Sequence, residues 1–260
     1  MISRKELSEY RSITGFANLG QLEKDYIQHL VLLILGDSLA GPELVFKGGT
    51  CLQKCFGLPR FSEDLDFDFT SKTLDSSVLL EAFQQTAGSI NRFGYEAQLV
   101  PATKRFPRSL SARLAVKGPL FDGTPPSTAF LTLEIRFDEP VLPPTPKSVT
   151  PPYADLRPYS IQVLDLRELL AEKVRALFTR SEPRDLYDLN YLLTKFPLAP
   201  DYALVQKKLD FYNKRFTKKE FLSRARGLKK SFAQEMPKLC DEKLVPEFSQ
   251  AIDRIEKAFA

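Results

Sequence analysis

Residues 44–69 read LVFKGGTCLQKCFGLPRFSEDLDFDF. The segment opens with a short apolar strand, Leu44-Val45-Phe46, which runs into the glycine turn Lys47-Gly48-Gly49-Thr50 and then into a short helix. From Phe61 to Phe69 apolar and acidic residues alternate with period two, which is typical of a half-buried strand. The segment therefore predicts a strand, a glycine turn, a helix and a second strand.

The second strand carries Asp64, Asp66 and Asp68 on one face and apolar residues on the other. Carboxylates this close repel one another unless a cation offsets the repulsion. Mg²⁺ prefers such oxygens and is usually held by one or two carboxylates together with substrate phosphates. The spacing alone leaves two interpretations open, a metal site and a solvated acidic edge.

The glycine turn can serve a phosphate ligand. Gly48 and Gly49 let backbone amides approach closely, and Thr50 supplies a hydroxyl at a helix start. The turn does not follow the GxxxxGK[ST] pattern of a P-loop, and a purely structural turn is the alternative. A glycine turn followed about fifteen residues later by Asp-x-Asp on the next strand resembles the polymerase-β-like nucleotidyltransferase fold.

That fold takes a third carboxylate from a neighbouring strand. The candidate is Glu134, which alternates with Leu133 and Ile135 in the predicted strand 129–137. By this resemblance Glu134 helps to ligate metal or accepts the proton of an attacking hydroxyl. The alternative is a surface glutamate paired with Arg136.

The remaining pattern predicts an α/β (α+β) protein with two domains. Residues 1–140 form a polymerase-β-like domain with a mixed sheet, whose further elements are helices at 19–40 and 74–92 and strands at 95–100, 110–116 and 129–137. Seven prolines lie between Pro140 and Pro158, a density that predicts the absence of regular structure. Residues 141–160 are therefore predicted to be a connector. Residues 161–260 form a helical domain. Its predicted helices are 163–180, 185–196, 202–212, 218–230 and 244–260.

The helical domain holds a second group of charged residues. Lys173 and Arg180 are seven residues apart and so share one helix face, where they could neutralise triphosphate charge. The alternative is a solvated helix, followed by an Arg-Asp pair that caps the next one.

Several motifs in order resemble the AbiEii/AbiGii toxin family of nucleotidyltransferases, over roughly residues 20–195. They are Glu23-Lys24-Asp25-Tyr26, Lys47-Gly48-Gly49-Thr50, Arg60-Phe61-Ser62-Glu63-Asp64-Leu65-Asp66-Phe67, Leu133-Glu134-Ile135, Glu172-Lys173-Val174-Arg175-Ala176-Leu177 and Arg184-Asp185-Leu186-Tyr187-Asp188-Leu189. Threonine stands at position 50, where some relatives have serine, and the hydroxyl is preserved.

The resemblance implies a role for each matched residue. Asp64, Asp66 and Glu134 would bind Mg²⁺ or Mn²⁺, and Asp185 would be a further active-site carboxylate. The nucleotide-binding set would be Lys47, Gly48, Gly49, Thr50, Ser62 and Lys173, to which the helical spacing adds Arg180. Asp68 has no certain counterpart in the family and is left out.

The implied activity is transfer of a nucleoside monophosphate from a nucleoside triphosphate (NTP) to a macromolecule, with release of pyrophosphate. RNA, and tRNA in particular, is the expected acceptor, and a cognate antitoxin is a possible partner. Two alternatives stay open: an enzyme of the same fold that modifies a protein, and a catalytically silent module that binds RNA or a partner.

The charge distribution bears on the acceptor. The chain has 37 basic and 33 acidic residues, and residues 201–260 hold 14 of the basic against 9 of the acidic ones. Residues 214–230 contain eight cations and only Glu220, interleaved with Phe216 and Phe221, which could stack on bases. An amphipathic helix with both phenylalanines in the core is the alternative. A second basic segment comprises Lys104, Arg105, Arg108, Arg113 and Lys117.

Other residue types exclude several functions. His29 is the single histidine and lacks ligand spacing, which excludes histidine-rich zinc sites and leaves an ordinary surface or satisfied residue. Cys51 and Cys55 are too few for a thiolate metal site and are expected to be small core residues. The start lacks a signal peptide's apolar core and the longest apolar run is short, so we expect a cytoplasmic protein without a membrane span.

Overall fold

A seven-stranded sheet organises the first part of the chain. The computed structural model describes residues 2–16, 18–71, 76–105, 109–137 and 142–260, and within them the strands form one sheet in the order β3-β4-β5-β2-β1-β7-β6. The strands are β1 (Leu44–Lys47), β2 (Leu65–Phe69), β3 (Glu96–Arg105), β4 (Ser109–Lys117), β5 (Ala129–Arg136), β6 (Thr145–Val149) and β7 (Tyr159–Val163). Pairs β2–β5 and β1–β7 are parallel and the other neighbours antiparallel, so the predicted mixed α/β fold is confirmed.

Helices flank the sheet and fill the second part of the chain. The first five are α1 (Arg4–Glu9), α2 (Arg11–Thr14), α3 (Leu19–Gly36), α4 (Gly48–Phe56) and α5 (Ser76–Arg92). The later ones are α6 (Leu166–Thr179), α7 (Pro183–Lys195), α8 (Tyr202–Asp210), α9 (Lys218–Gly227), α10 (Lys229–Leu239) and α11 (Phe248–Ala258). The sequence predicts neither α1 nor α2, and it assigns only the first residues of α10, as the end of the helix before it.

Local sequence explains where these helices begin. Asn18 accepts a hydrogen bond from the Gly20 amide at 2.8 Å at the start of α3, and Asp165 accepts one from the Arg167 amide at 2.8 Å at the start of α6. Helix α3 is largely buried, and its segment 30–35 is apolar throughout. No helix in the described part of the chain is both long and apolar enough to cross a membrane.

The proline-rich segment contains a strand, so the prediction that it lacks regular structure is wrong. Strand β6 includes Pro146, which lies opposite Gln162 of β7. Proline has no backbone N–H to donate and is therefore confined in sheets largely to edge strands, and β6 is the last strand of this sheet. An edge position therefore tolerates this proline.

Contacts divide the chain into two units. The sheet unit comprises Met1–Cys55, Glu63–Asp138 and Pro144–Val163, and the helical unit comprises Phe56–Ser62, Glu139–Pro143 and Leu164–Ala260. Each unit has an aromatic core. In the sheet unit Phe46 packs on Phe67 with ring centroids 5.2 Å apart, and in the helical unit Phe221 packs on Phe259 at 4.6 Å. The domain limits predicted from the sequence stay a prediction.

Candidate active site

One face of the sheet gathers two of the predicted catalytic carboxylates. Asp66 on β2 lies opposite Glu134 of β5 and opposite Lys47 of β1. Register partners on neighbouring strands point to the same side of a sheet, so these three side chains share one face. Phe46 and Phe67 occupy the other face and pack into the core. The pairing of β2 with β5 therefore places Asp66 and Glu134 side by side.

Glu134 is held in place by its other neighbour. The Ser111 hydroxyl on β4 donates a hydrogen bond of 2.6 Å to Glu134 Oε1, and the two residues are register partners. This bond keeps the half-buried carboxylate on the face of the sheet that carries Asp66, which we call the acidic face. The second carboxylate oxygen, Oε2, is not part of that bond.

Lys47 and Asp68 form a buried ion pair on this same face. Lys47 Nζ lies 2.5 Å from Asp68 Oδ1, and both side chains are almost fully buried. Lys47 is predicted to contact the nucleotide, and in the structure its ammonium neutralises Asp68. The strand's alternation shows that Asp68 shares a face with Asp66, but it does not reveal that Asp68 is buried against a cation.

Asp64 lies outside the strand. It precedes β2 and is exposed, whereas the predicted strand began at Phe61. The buried Thr50 hydroxyl donates a hydrogen bond of 2.5 Å to the backbone carbonyl of Asp64. The Thr50 side chain therefore fixes the backbone of Asp64, and its contact with a phosphate stays a prediction.

Gly48 makes the turn between β1 and α4 possible in two ways. Its φ of +79° is in the left-handed region that favours glycine. A Cβ atom on Gly48 would also overlap the Asp66 carboxylate, at 3.0 Å from Cγ and 3.1 Å from Cβ. The backbone at the start of α4 thus lies directly against Asp66, and the amides of a helix N-terminus face anions readily.

We expect Gly48→Ala to lower both stability and nucleotide transfer. The left-handed conformation costs a non-glycine residue about 1–2 kcal/mol, and the added methyl group displaces the Asp66 carboxylate. Urea unfolding and initial transfer rates measure the two effects. Gly88→Ala is the matched control, because Gly88 lies within helix α5 with open space around it and alanine there should be neutral or stabilising. Equal behaviour of the two variants would contradict this account of Gly48.

The acidic face fits a hard divalent cation only in part. Asp66 and Glu134 are neighbouring carboxylates, and Mg²⁺ commonly takes one or two of these and completes its shell with substrate phosphates and water. Among the residues that the structure describes, no three His, Cys, Asp or Glu side chains converge into a metal-binding group. The predicted set Asp64, Asp66 and Glu134 is thus not gathered into a three-carboxylate cage. The pair Asp66 and Glu134 suits a metal that the nucleotide helps to hold.

The helical unit contains a buried charge network around Lys173 of α6. Lys173 Nζ lies 3.2 Å from Asp185 Oδ1 and 2.7 Å from Asp188 Oδ2, both on α7. Arg60 Nε and Nη2 each contact a separate oxygen of Asp188 at 2.6 Å, which is a bidentate pair. Arg180 contacts Asp185 through Nε at 2.8 Å and Nη2 at 2.9 Å. Lys173 and Arg180 therefore reach one carboxylate, as their seven-residue spacing suggests.

This network has spare capacity for an anion. Glu182 also belongs to the network, 3.7 Å from Arg180 and 2.6 Å from Arg184, so four cations face three carboxylates and the seven side chains carry a formal charge of +1. An ammonium has three N–H donors and a guanidinium has five, so Lys173 and Arg180 can each donate beyond their carboxylate contacts. Arg180 is also partly exposed, with 46% of its side chain accessible.

The family is decided by sequence comparison. The model of the family described as nucleotidyl transferase AbiEii toxin, type IV toxin-antitoxin system, matches residues 31–254. The chain belongs to the AbiEii toxin family. It is a nucleotidyltransferase, and AbiEii membership implies an NTP substrate and a cognate antitoxin. No curated protein sequence matches the chain.

Solved structures share the AbiEii fold described above. MenT4, the nucleotidyltransferase toxin Rv2826c from Mycobacterium tuberculosis H37Rv, has a TM-score of 0.70 and 22% identity, with 100% of this chain and 89% of that chain covered. JHP933 from Helicobacter pylori has a TM-score of 0.59 and 17% identity, with 92% and 89% covered. At these identities the similarity supports the fold.

The two aspartates of the AbiEii helical unit are held ionised. Burial alone would raise the pKa of Asp185, but the Lys173 ammonium and the Arg180 guanidinium hold it well below its ordinary value. Burial acts likewise on Asp188, and Arg60 and Lys173 hold its pKa low. The stability that both carboxylates contribute is present above the ordinary carboxyl pKa and is lost as pH falls through the lowered one.

Arg60 and Asp188 belong to this network, although the sequence analysis assigns neither of them a role in the site. Both lie in AbiEii motifs, and Asp188 follows Asp185 by three residues on the same face of α7. That periodicity could have identified Asp188, but no local signal pairs it with Arg60. Ser62, predicted to contact the nucleotide, is half-buried two residues after Arg60.

A separate buried charge cluster packs along α6. Lys208 Nζ lies 2.7 Å from Glu168 Oε1 and 2.8 Å from Glu172 Oε1. The Leu142 amide donates to Glu168 Oε2 at 2.6 Å. Arg175 also pairs with Glu172, so two cations compensate two carboxylates. These charges hold α8 on α6, and the sequence alone does not reveal them.

The phenylalanines of the basic segment are not both available for base stacking. Phe221 is fully buried between Phe178 and Phe259, so of the two interpretations the core position holds for it and base stacking does not. Phe216 is half-buried and contacts the same rings. In the second basic segment Arg108 lies outside the described residues, as do the side chains of Lys104 and Arg105.

His29 and Cys51 are core residues of this AbiEii chain. Cys51 is buried and is not in a disulfide. His29 is buried on α3, with Nδ1 2.9 Å from the Tyr159 hydroxyl and Nε2 3.8 Å from Asp25. Burial, with a smaller contribution from Lys54, lowers the pKa of His29 to about 3 although Asp25 opposes the shift.

The single histidine permits a direct test of its burial. We expect the imidazole proton signals of His29 to stay constant from about pH 8 to pH 5, where an exposed histidine titrates. Because its folded pKa lies below the unfolded value, the stabilisation from neutral His29 is lost as pH falls below about 6.5. Proton NMR on the native protein measures the titration. A midpoint near the ordinary value in the folded state would contradict the buried, neutral assignment.

Proposed function

We propose that the protein transfers a nucleoside monophosphate from an NTP to an RNA acceptor, most specifically tRNA, with Mg²⁺ or Mn²⁺ as cofactor. The observation that carries the proposal is the placement of Asp66 beside Glu134, with the Gly48 turn against Asp66. Paired carboxylates at the N-terminus of a helix suit a site that handles both a cation and phosphates. The net positive charge of residues 201–260 favours a polyanionic acceptor.

We assign a role to each residue of the proposed site. Asp66 and Glu134 would hold the metal, which when bound neutralises phosphate charge. We keep the exposed Asp64, which lies outside this pair, as a further proposed ligand. Backbone amides at Gly48 and Gly49 orient the triphosphate, with Lys47, Thr50 and Ser62 as further proposed contacts. Asp185 fixes the two cations that we assign to the phosphates, Lys173 and Arg180.

The transfer forms one bond and breaks another. The acceptor hydroxyl attacks the α-phosphorus, and the bond from that phosphorus to the bridging oxygen of pyrophosphate breaks. We assign the hydroxyl proton to Glu134 Oε2, since Oε1 already accepts the Ser111 hydrogen bond. The N–H donors of Lys173 and Arg180 stabilise the charge on the departing pyrophosphate.

Labelled nucleotides test the proposal. Pure protein is incubated with Mg²⁺, cellular RNA, a protein extract and each α-labelled NTP in turn, beside the Asp66→Asn variant and an EDTA control. Label on RNA that is lost in the variant and with EDTA supports the proposal. Label on a protein band overturns the RNA acceptor and identifies a protein-modifying enzyme, and absence of label on both overturns transfer to either acceptor under these conditions.

A further inference from the structure

We infer that a pocket between helix α8 and the loop that follows it binds the single-stranded part of the RNA acceptor. The inference rests on the proposed function, because it names where that acceptor is held. The pocket has a volume of about 660 Å³, which is within the range of small-ligand sites. Tyr202, Gln206, Lys214, Arg215 and Phe216 line it, and we call it the Tyr202 pocket.

The loop that forms one wall has a fixed backbone. Gln206 Nε2 donates to the Lys214 carbonyl at 3.0 Å, and Gln206 Oε1 accepts from the Phe216 amide at 2.9 Å. Asn213 takes a left-handed φ of +53°, which few residues other than glycine, asparagine and aspartate adopt readily. A loop held by these two hydrogen bonds presents its cations in a defined arrangement, so less conformational entropy is lost when a ligand binds.

The other wall is an exposed aromatic ring. Tyr202 is 46% exposed, although its ring packs against Phe216 at 5.5 Å and Phe259 at 6.2 Å and its hydroxyl donates to the Phe259 carbonyl at 3.3 Å. The ring is therefore held from within and open to solvent elsewhere. Base stacking on such a ring is tolerant of sequence, and Tyr202 takes the stacking role that the buried Phe221 cannot fill.

The charge around the pocket is complementary to a nucleic-acid backbone. Residues 214–219 contain Lys214, Arg215, Lys218 and Lys219 and no carboxylate. The two lysines that begin α9 are exposed, as is Arg215. The one acidic residue of the lining, Asp210, accepts a hydrogen bond from Gln206 at 2.5 Å. An aromatic surface next to a row of cations is how proteins commonly hold single-stranded nucleic acids.

Two sets of variants test the pocket, with fluorescent polyuridine and bulk tRNA as probes. Tyr202→Leu keeps an apolar side chain but removes the π face, and we expect about tenfold weaker RNA binding, whereas Tyr202→Phe should bind normally. The double variant Lys214→Gln/Arg215→Gln should lower the magnitude of the logarithmic salt slope by about 1.4, since each phosphate contact on a single strand contributes about 0.7. Its matched control is Arg4→Gln/Lys5→Gln, which removes two exposed cations from α1.

The readouts separate this inference from the proposed function. NTP binding is measured for every variant and should match that of the unmodified protein. Thermal unfolding shows that each variant is folded at the assay temperature, since Tyr202→Leu removes contacts with Phe216 and Phe259. RNA binding by Tyr202→Leu at unmodified strength, or equal salt slopes for the two double variants, would overturn the pocket assignment. Failure of the unmodified protein to bind either RNA would overturn it as well. RNA binding that weakens as expected, in a protein that transfers no label to RNA, would support the pocket and overturn the proposed transfer.

Discussion

Asp66→Asn reduces nucleotide transfer by about 10²–10³-fold or more, the scale seen when one preorganised electrostatic contact is removed from a catalytic site. Asparagine has the shape of aspartate but lacks the negative charge that we assign to metal binding. Asp66 is only half-buried, so we expect the free energy of unfolding to change by less than about 1 kcal/mol. Transfer rates with a labelled NTP, together with urea unfolding, measure both quantities.

Asp68→Asn is the matched control, two residues further along the same strand. Asp68 is buried against Lys47, so its substitution should lower the free energy of unfolding by about 1–3 kcal/mol. The specific activity of the folded protein should fall by much less than in Asp66→Asn. If Asp68→Asn abolished transfer and Asp66→Asn did not, the assignment of the catalytic aspartate would have to be reversed.

Lys173→Met should destabilise the protein by about 3 kcal/mol, because it removes the cation shared by two buried carboxylates. For a chain of this size such a change lowers the unfolding midpoint by about 6–12 °C. Asp185 and Asp188 would each keep one arginine, so we expect the chain still to fold. Differential scanning calorimetry measures the shift.

The same variant should also lose transfer activity at temperatures where it is folded, since Lys173 is proposed to contact the phosphates. Lys207→Met is the control, because Lys207 is an exposed lysine on α8 and its removal should change stability by less than about 0.5 kcal/mol. A Lys173→Met protein as stable as this control would show that the buried network contributes little to the folded state.

Local pattern was sufficient to predict the elements around Asp66. Strand alternation and the double glycine identify β1, α4 and β2 because periods of two and the needs of a tight turn are properties of short segments. The spacing of Lys173 and Arg180 works in the same way, since helical periodicity brings both cations to Asp185. Local pattern was not sufficient to place Glu134, because its position beside Asp66 depends on β5 pairing with β2.

Contacts between distant residues were beyond the reach of the sequence. Arg60 and Asp188 are 128 residues apart, and nothing near either residue indicates its partner. The sequence does not show that Lys47 pairs with Asp68 either, because the burial of Asp68 is a property of the assembled sheet. Pro146 was misjudged because a proline's effect depends on whether its strand is at an edge.

The course of the chain through its two units limits how the protein can be divided. Residues 56–62 belong to the helical unit although the chain on either side of them belongs to the sheet unit. A fragment ending at Val163 would expose Arg60 without Asp188, the carboxylate that neutralises it. During synthesis this guanidinium has no carboxylate from α7 until that helix has left the ribosome. The helical part therefore cannot be exchanged between relatives as a segment cut at a single point, and a chimera would have to carry residues 56–62 and 139–143 with it.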